Sequence, residues 1–246
     1  MKIIILAAGC GTRFINSNKS IQIPKCLIKL KNHKTILELN LENIQTCDSI
    51  ESINIVTGYK YNLVEKHLGD LFPNEWNINL LYNSDYQKSV IHSVLKGFEN
   101  IDNTSSILLL NGDTYFEKDI FIQANKISHQ CQDTITLFGH ITNEFYDDDM
   151  LLHVIDRKIL NIGKNLKKAN GISSGAILLC NDGLKKYVET IKNKSIQKLN
   201  THHGIINEII KSSYTKIGFV DLGLRQWIEI DNQKDLKNVQ ENFYKD

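Results

Sequence analysis

The residues best suited to chemistry begin within the first 25 positions, MKIIILAAGCGTRFINSNKSIQIPK. An apolar run, Ile3 to Leu6, passes without a polar spacer into Ala7-Ala8-Gly9-Cys10-Gly11-Thr12-Arg13. Small residues and glycines at the end of a strand let successive backbone N–H groups approach an anion closely. Arg13 adds a forked, permanently charged donor that matches phosphate oxygens. Lys25, after Pro24, adds a compact second charge. The first acidic residue of the chain is Glu38, and before it stand Lys2, Arg13, Lys19, Lys25, Lys29, Lys31 and Lys34. A nearly neutral protein thus surrounds one glycine loop with cations alone, which is the pattern of a polyphosphate site.

Carboxylates supply the complementary chemistry. Asp113 follows the apolar run Ile107 to Leu110 and Gly112, so it is expected at a sheet edge. In Glu229-Ile230-Asp231 the period-two alternation of a strand puts both acids on one side. Taken singly, each Asp also fits a plain turn position. Brought together, they suit Mg²⁺, which takes few carboxylates, keeps waters and bridges to phosphates.

Leu-Ala-Ala-Gly-x-Gly-Thr-Arg followed by Pro-Lys resembles the signature of the nucleotidyltransferases that make nucleoside-diphosphate sugars and CDP-alcohols. Other glycine loops fit less well: Phe14 stands where a dinucleotide fingerprint needs glycine, and the Gly-Lys-Ser/Thr of a Walker A loop is absent. The resemblance implies an α/β fold of the nucleotide-diphospho-sugar transferase type, a three-layer Rossmann-like sandwich with a mixed, mainly parallel sheet. It implies transfer of a nucleoside monophosphate to a phosphorylated acceptor, with release of pyrophosphate. Leu6, Ala7, Ala8, Gly9, Gly11, Thr12, Arg13 and Lys25 would contact the nucleotide, with Gly58, Ser89 and Asp113. Arg13 and Lys25 would be catalytic. Asp113, Glu229 and Asp231 would hold Mg²⁺, or Mn²⁺ in its place. The acceptor side would use Lys164, Ser174, Gly175, Phe145 and Trp227. Trp227-Ile228-Glu229-Ile230-Asp231 is most similar to the CTP:phosphocholine and phosphonate group, which favours CTP. A sugar 1-phosphate acceptor and a non-catalytic nucleotide-binding regulator are the alternative readings.

Several of these residues also have structural readings. Ser89 suits a helix N-cap as well as a pyrimidine edge. Phe145 suits core packing as well as a cage for a quaternary ammonium. Lys164, and Lys168 one turn on if that segment is helical, suit solvated positions. His202-His203 lacks a third ligand at zinc spacing and reads as a loop feature or helix start. Cys10 and Cys26 flank the loop as bystander thiols, since the chemistry needs no covalent intermediate.

The elements that must position these groups alternate. Apolar runs at Ile3–Leu6, Ile53–Val56, Ile78–Tyr82 and Ile107–Leu110 read as buried strands. Between them Thr35–Thr46, Asn62–Leu68 and Ser89–Phe98 carry helical spacing. Cys26–Leu30 reads as a short strand or extended segment. Alternating strands and helices give a sheet covered on both faces, with ligands at the carboxyl ends of its strands. The second half reads as helices at Ile120–Ile127, Leu184–Ile191, Gly204–Lys211 and Gln233–Tyr244. Its strands are Thr134–Phe138, a hairpin Leu151–Ile155 with Lys158–Ile162, then Ser174–Leu179, Ile217–Val220 and Trp227–Asp231. One domain is expected, with residues 1–115 as the nucleotide half and 116–246 as the acceptor half.

At 246 residues and 41% hydrophobic content the chain can bury a substantial core. A formal charge of +1 argues against a general nucleic-acid binder. No apolar stretch is long enough to span a membrane, and the N-terminal apolar run reads as a strand rather than a targeting segment. Five scattered cysteines without CxxC spacing indicate neither a disulfide framework nor zinc, and suit a reducing cytoplasm. A monomer or homodimer is expected.

Overall fold

The computed structural model describes residues 1–12, 14, 22–30, 33–71, 77–101, 105–130, 134–193, 201–213, 217–223 and 226–239. The first half runs β1 (Lys2–Ala7), α1 (Ile36–Gln45), β2 (Ser52–Thr57), α2 (Tyr61–Leu71), β3 (Ile78–Tyr82), α3 (Val90–Gly97) and β4 (Ile107–Asn111). Then follow β5 (Thr114–Phe116), α4 (Lys118–Gln130), β6 (Ile135–Ile141), β7 (Leu151–Ile155), β8 (Lys158–Gly163) and β9 (Gly171–Leu179). The chain continues through α5 (Asn181–Asn193), α6 (His202–Ser213), β10 (Ile217–Asp221), β11 (Trp227–Glu229) and α7 (Gln233–Asn238). Residues 240–246 of the expected last helix lie outside the described residues.

Nine strands form one sheet in the order β3-β2-β1-β4-β9-β6-β10-β8-β7, with a further β9–β7 pairing. β3, β2, β1 and β4 pair parallel with one another, whereas β9 runs antiparallel to both β4 and β6. This is the expected mixed α/β sheet: seven of its nine strands run in one direction, and only β8 and β9 run against them.

The core follows strand alternation. Ile3 and Ile5 of β1 face the cluster that includes Leu37, Leu41, Leu108, Leu110 and Phe121, beneath α1 and α4. Ile4, between them, faces the cluster of Leu109, Ile91, Val94, Tyr187 and Ile205, beneath α3, α5 and α6. All three isoleucines are fully buried, each worth about 2–3 kcal/mol relative to exposure. Apolar residues on both faces are what a central parallel strand requires.

Local signals account for the element ends. Thr35 caps α1 in a capping box: Glu38 N–H donates to Thr35 Oγ1 at 3.1 Å, and Thr35 N–H donates to Glu38 Oε2 at 2.6 Å. Asp156 and Arg157 take φ of 47° and 58°, the left-handed pair that closes a two-residue hairpin between β7 and β8. Lys25–Leu27 is a 3₁₀ turn rather than a strand; only Lys29 forms a bridge, to Thr35.

β5 is the element the sequence reading missed. It is three residues long and directly follows a turn, too short to show alternation. On one edge its hydrogen bonds come from side chains. Asn40 Nδ2 donates to Thr114 O at 2.8 Å and Asn40 Oδ1 accepts from Phe116 N–H at 2.9 Å. Asn43 Nδ2 donates to Phe116 O at 2.8 Å. Two asparagines of α1 thus act as a neighbouring strand on one edge, and β11 pairs antiparallel on the other.

Candidate nucleotide and acceptor cleft

The carboxyl ends of β1 and β4 open into a cleft of about 830 Å³. Gly112 sets its floor. Its N–H donates to Leu6 O at 2.9 Å, and a Cβ there would come within 2.8 Å of Leu6 O and of Ala7 Cβ. Only glycine lets the end of β4 lie this close to β1. Leu6, Ala7, Ala8, Gly9, Gly11 and Thr12 line the same cleft. Gly9 is exposed with nothing within 4 Å of a Cβ position, while Gly11 needs its positive φ of 62°.

The short β5–β11 pair brings the acids together. Glu229 pairs with Thr114 in register, and Ile230 N–H donates to Asp113 O at 3.1 Å. One carboxylate oxygen from each of Asp113, Glu229 and Asp231 lies within 4.8 Å of the others. A set of oxygen donors alone fits a hard divalent cation.

Lys25 reaches the same place from the 3₁₀ turn. Its Nζ donates to Asp113 Oδ2 at 3.0 Å and to Asp231 Oδ1 at 2.5 Å. Its stem runs against Gly11, where a Cβ would meet Lys25 Cγ at 2.8 Å. Burial alone would push the ammonium pKa down, but the charge of Asp113 and the hydrogen bond to Asp231 hold it above the ordinary lysine value. Lys25 is therefore charged at neutral pH. The neighbouring thiols are not: burial pushes Cys26 up to about 12 and also raises Cys10. Neither is poised as a nucleophile at neutral pH.

Lys164, Gly175 and Trp227 also line the cleft. Lys164 lies 3.7 Å from Asp148, both largely exposed. Residues 164–168 form turns, so Lys168 does not follow Lys164 along a helix.

Four expected residues do not line this cleft. Ser89 is the N-cap of α3 and accepts from Ile91 N–H at 3.2 Å. Gly58 makes room for Tyr86, whose Cβ would lie 2.5 Å from any Cβ added there. Ser174 is buried and donates to Phe138 O at 2.8 Å, so its neighbour Ser173 faces the cleft instead. Phe145 is off the wall, and the adjacent Tyr146 is on it. Arg13 lies outside the described residues.

Three histidines that the sequence offered no means to place also line the cleft: His140, His202 and His203. His140 Nδ1 contacts Asp221 Oδ1 at 3.2 Å. His203 Nε2 shares a hydrogen bond of 3.0 Å with Ser173 Oγ, which also accepts from Gly175 N–H at 3.2 Å. The rings of His202 and His203 lie 4.2 Å apart. Burial lowers His202 to about 4 and holds His203 well below the ordinary histidine value, with His202 adding to the effect. Both are neutral imidazoles at pH 7. The signal available in the sequence was adjacency at the start of a helix, which says nothing about Ser173 across the fold.

A glycine loop, a buried lysine and a carboxylate triad at the ends of β1 and β4 define a nucleotide-handling α/β protein. The chain belongs to the family of the MobA-like NTP transferase domain, whose model matches residues 3–135. It is similar to the bifunctional protein GlmU of Thermosipho africanus, 26% identical over 204 residues, covering 80% of this chain and 41% of that protein. The chain thus spans about two-fifths of the length of that relative. Its fold matches the inositol-1-phosphate CTP transferase from T. maritima with a TM-score of 0.78 at 18% identity, covering 98% of this chain and 96% of that one. It also matches the CTP:phosphocholine cytidylyltransferase LicC from Streptococcus pneumoniae, with a TM-score of 0.75 at 21% identity over 98% and 97% of the two chains. Among the described residues no helix is long and apolar enough to cross a membrane.

Proposed function

We propose that this protein transfers a nucleoside monophosphate from an NTP to a small phosphorylated acceptor, releasing pyrophosphate. The observation that carries this reading is the meeting of Lys25, Asp113 and Asp231 beside the glycine loop. An acceptor phosphate oxygen forms the new bond to the α-phosphorus. The bond to the bridging oxygen of pyrophosphate breaks, and the leaving group takes that electron pair. The protein's work is positioning and charge stabilisation. Amides of the Gly9–Thr12 loop and the Arg13 guanidinium bind the triphosphate. Lys25 offsets charge as it builds on the α-phosphate. Asp113, Glu229 and Asp231 are the residues to hold Mg²⁺ or Mn²⁺, which supplies Lewis-acid stabilisation of phosphate charge when bound.

The finer assignment is CTP with a phospho-alcohol or phosphonate. It is supported by the fold likeness to two proteins described as acting with CTP. Tyr146 and Trp227 on the wall, with Asp148 and Asp149 beside them, also suit a cationic head group. One observation favours a hydroxylated acceptor, such as a sugar 1-phosphate or another phospho-polyol. Ser173, His203 and Asn111 present neutral polar groups on the same wall. Pyrophosphate release measured across four NTPs and a panel of phosphocholine, 2-aminoethylphosphonate, phospho-polyols and sugar 1-phosphates tests both. A preference for CTP with a cationic acceptor supports the first. A dominant sugar 1-phosphate with UTP, GTP or dTTP replaces it with the second.

A further inference from the structure

Lys25 sits where the carboxylate cluster would receive a cation. Its ammonium contacts Asp113 and Asp231 at once, and these are two of the three acids whose oxygens converge within 4.8 Å. The contact is built rather than incidental. The lysine side chain is 11% exposed, its stem is packed on Gly11, and its ammonium bonds to both carboxylates. A divalent cation needs the same oxygens and would be repelled by an ammonium lying among them. The same lysine lines the cleft beside the glycine loop, so a triphosphate there offers its ammonium new oxygens.

We propose that Lys25 is an internal counter-ion that closes the carboxylate site to divalent cations until a triphosphate draws its ammonium away. Nucleotide and metal then load together, and the free protein does not hold a metal with nothing to bridge to. The closing contact stands on the geometry alone; the identity of the releasing anion rests on the function proposed above. Because coupling between sites is reciprocal, whatever loosens Lys25 tightens metal binding.

Mn²⁺ titration without nucleotide, read as free Mn²⁺ by electron paramagnetic resonance, tests the closing contact. Lys25→Met is expected to bind Mn²⁺ at least about tenfold more tightly than the unmodified protein, within the usual range of such couplings. Lys25→Arg keeps charge and reach and stays weak. Lys164→Met removes a cleft cation that does not touch Asp113 or Asp231 and leaves the affinity unchanged. Equal or weaker Mn²⁺ binding by Lys25→Met, or an equal gain in Lys164→Met, overturns the proposal. If Lys25→Met does not fold, ¹H–¹⁵N spectra of the lysine ammonium groups in the unmodified protein decide it. The Lys25 signal should stay in place with Mg²⁺ alone and move when CTP is added in EDTA. Movement with Mg²⁺ alone overturns the closure. A Lys25→Met gain in Mn²⁺ affinity, together with no response of the signal to any of four NTPs, upholds the closure and overturns the triphosphate as its release.

Discussion

The two ends of the cleft are built on different physical terms. The end proposed to bind phosphate is charged and assembled from ion pairs: Lys25 with Asp113 and Asp231, beside the glycine loop. The end proposed for the acceptor is lined by the neutral imidazoles of His202 and His203 and by the Ser173 hydroxyl, with Lys164 and Asp148 exposed and Asp149 partly buried on the same wall. Charge that must follow phosphate chemistry leaves little freedom in residue type. Recognition of a head group by neutral hydrogen bonds can be met in many ways. The contrast teaches that one end is suited to driving the reaction and the other to choosing what enters it.

Breaking the charged end should produce the larger effects. Lys25→Ala is expected to lower kcat and kcat/KM together by about 10²–10³-fold, the scale of removing one preorganised charge donor from a transition state. Steady-state kinetics with circular dichroism as a folding control checks this. Normal turnover would remove Lys25 from the reaction. The Asp113→Asn, Asp231→Asn double variant, and the unmodified protein in excess EDTA, are expected to lose activity to a similar or greater degree. Full activity in either would place the metal elsewhere or make it unnecessary.

The same contrast governs what could be read from the chain. Gly9, Gly11 and Lys25 were legible because a site of the kind proposed restricts residue type and spacing within one strand-loop segment, and Asp113 because it follows an apolar strand and a glycine. Most strands and helices were legible from periodicity, and the β7–β8 hairpin was placed around Asp156-Arg157. β5 was not, because its ladder is completed by Asn40 and Asn43, and no local pattern reveals a side chain acting as a strand. The acceptor wall was legible only in part. Lys164, Gly175 and Trp227 were placed on it, whereas Ser174 and Phe145 are each one residue away from the groups that face the cleft. In β9 a single-residue step exchanges the two faces, and Gly171 to Leu179 is nearly apolar enough to hide which face is which. His203 and Ser173 meet across 30 positions of sequence, a pairing that only the fold creates.

Perturbing the neutral end should sharpen the comparison with smaller effects. Ser173→Ala and His203→Leu are each expected to raise the KM for the acceptor by about tenfold, the scale of one lost hydrogen bond in a polar site. The KM for the NTP should stay unchanged. An equal rise in both constants would show that these residues support the fold or the nucleotide rather than the acceptor. His202 gives the acceptor end a pH signature. Its folded pKa, about 4, lies below its unfolded value of about 6.5, so the unfolded chain binds the proton first. Stability is therefore full above pH 6.5 and falls as pH drops toward 4, by up to about 3 kcal/mol from this group. Urea unfolding at pH 7 and pH 5 should show the decline, and His202→Gln should reduce it. An unchanged pH slope in His202→Gln would remove this histidine from the acid response.

The central claim, that the charged end transfers a nucleoside monophosphate, is tested most directly by following labelled phosphates. CTP carrying ³²P at the α or the γ position is incubated with Mg²⁺ and the acceptor panel, and the other NTPs are tested likewise. The expected result is acceptor-dependent: α-label enters the acceptor product, γ-label leaves in pyrophosphate, and both transfers fall sharply in Lys25→Ala. Transfer of γ-label to an acceptor, release of orthophosphate in place of pyrophosphate, or no acceptor-dependent reaction with any of the four NTPs would contradict it.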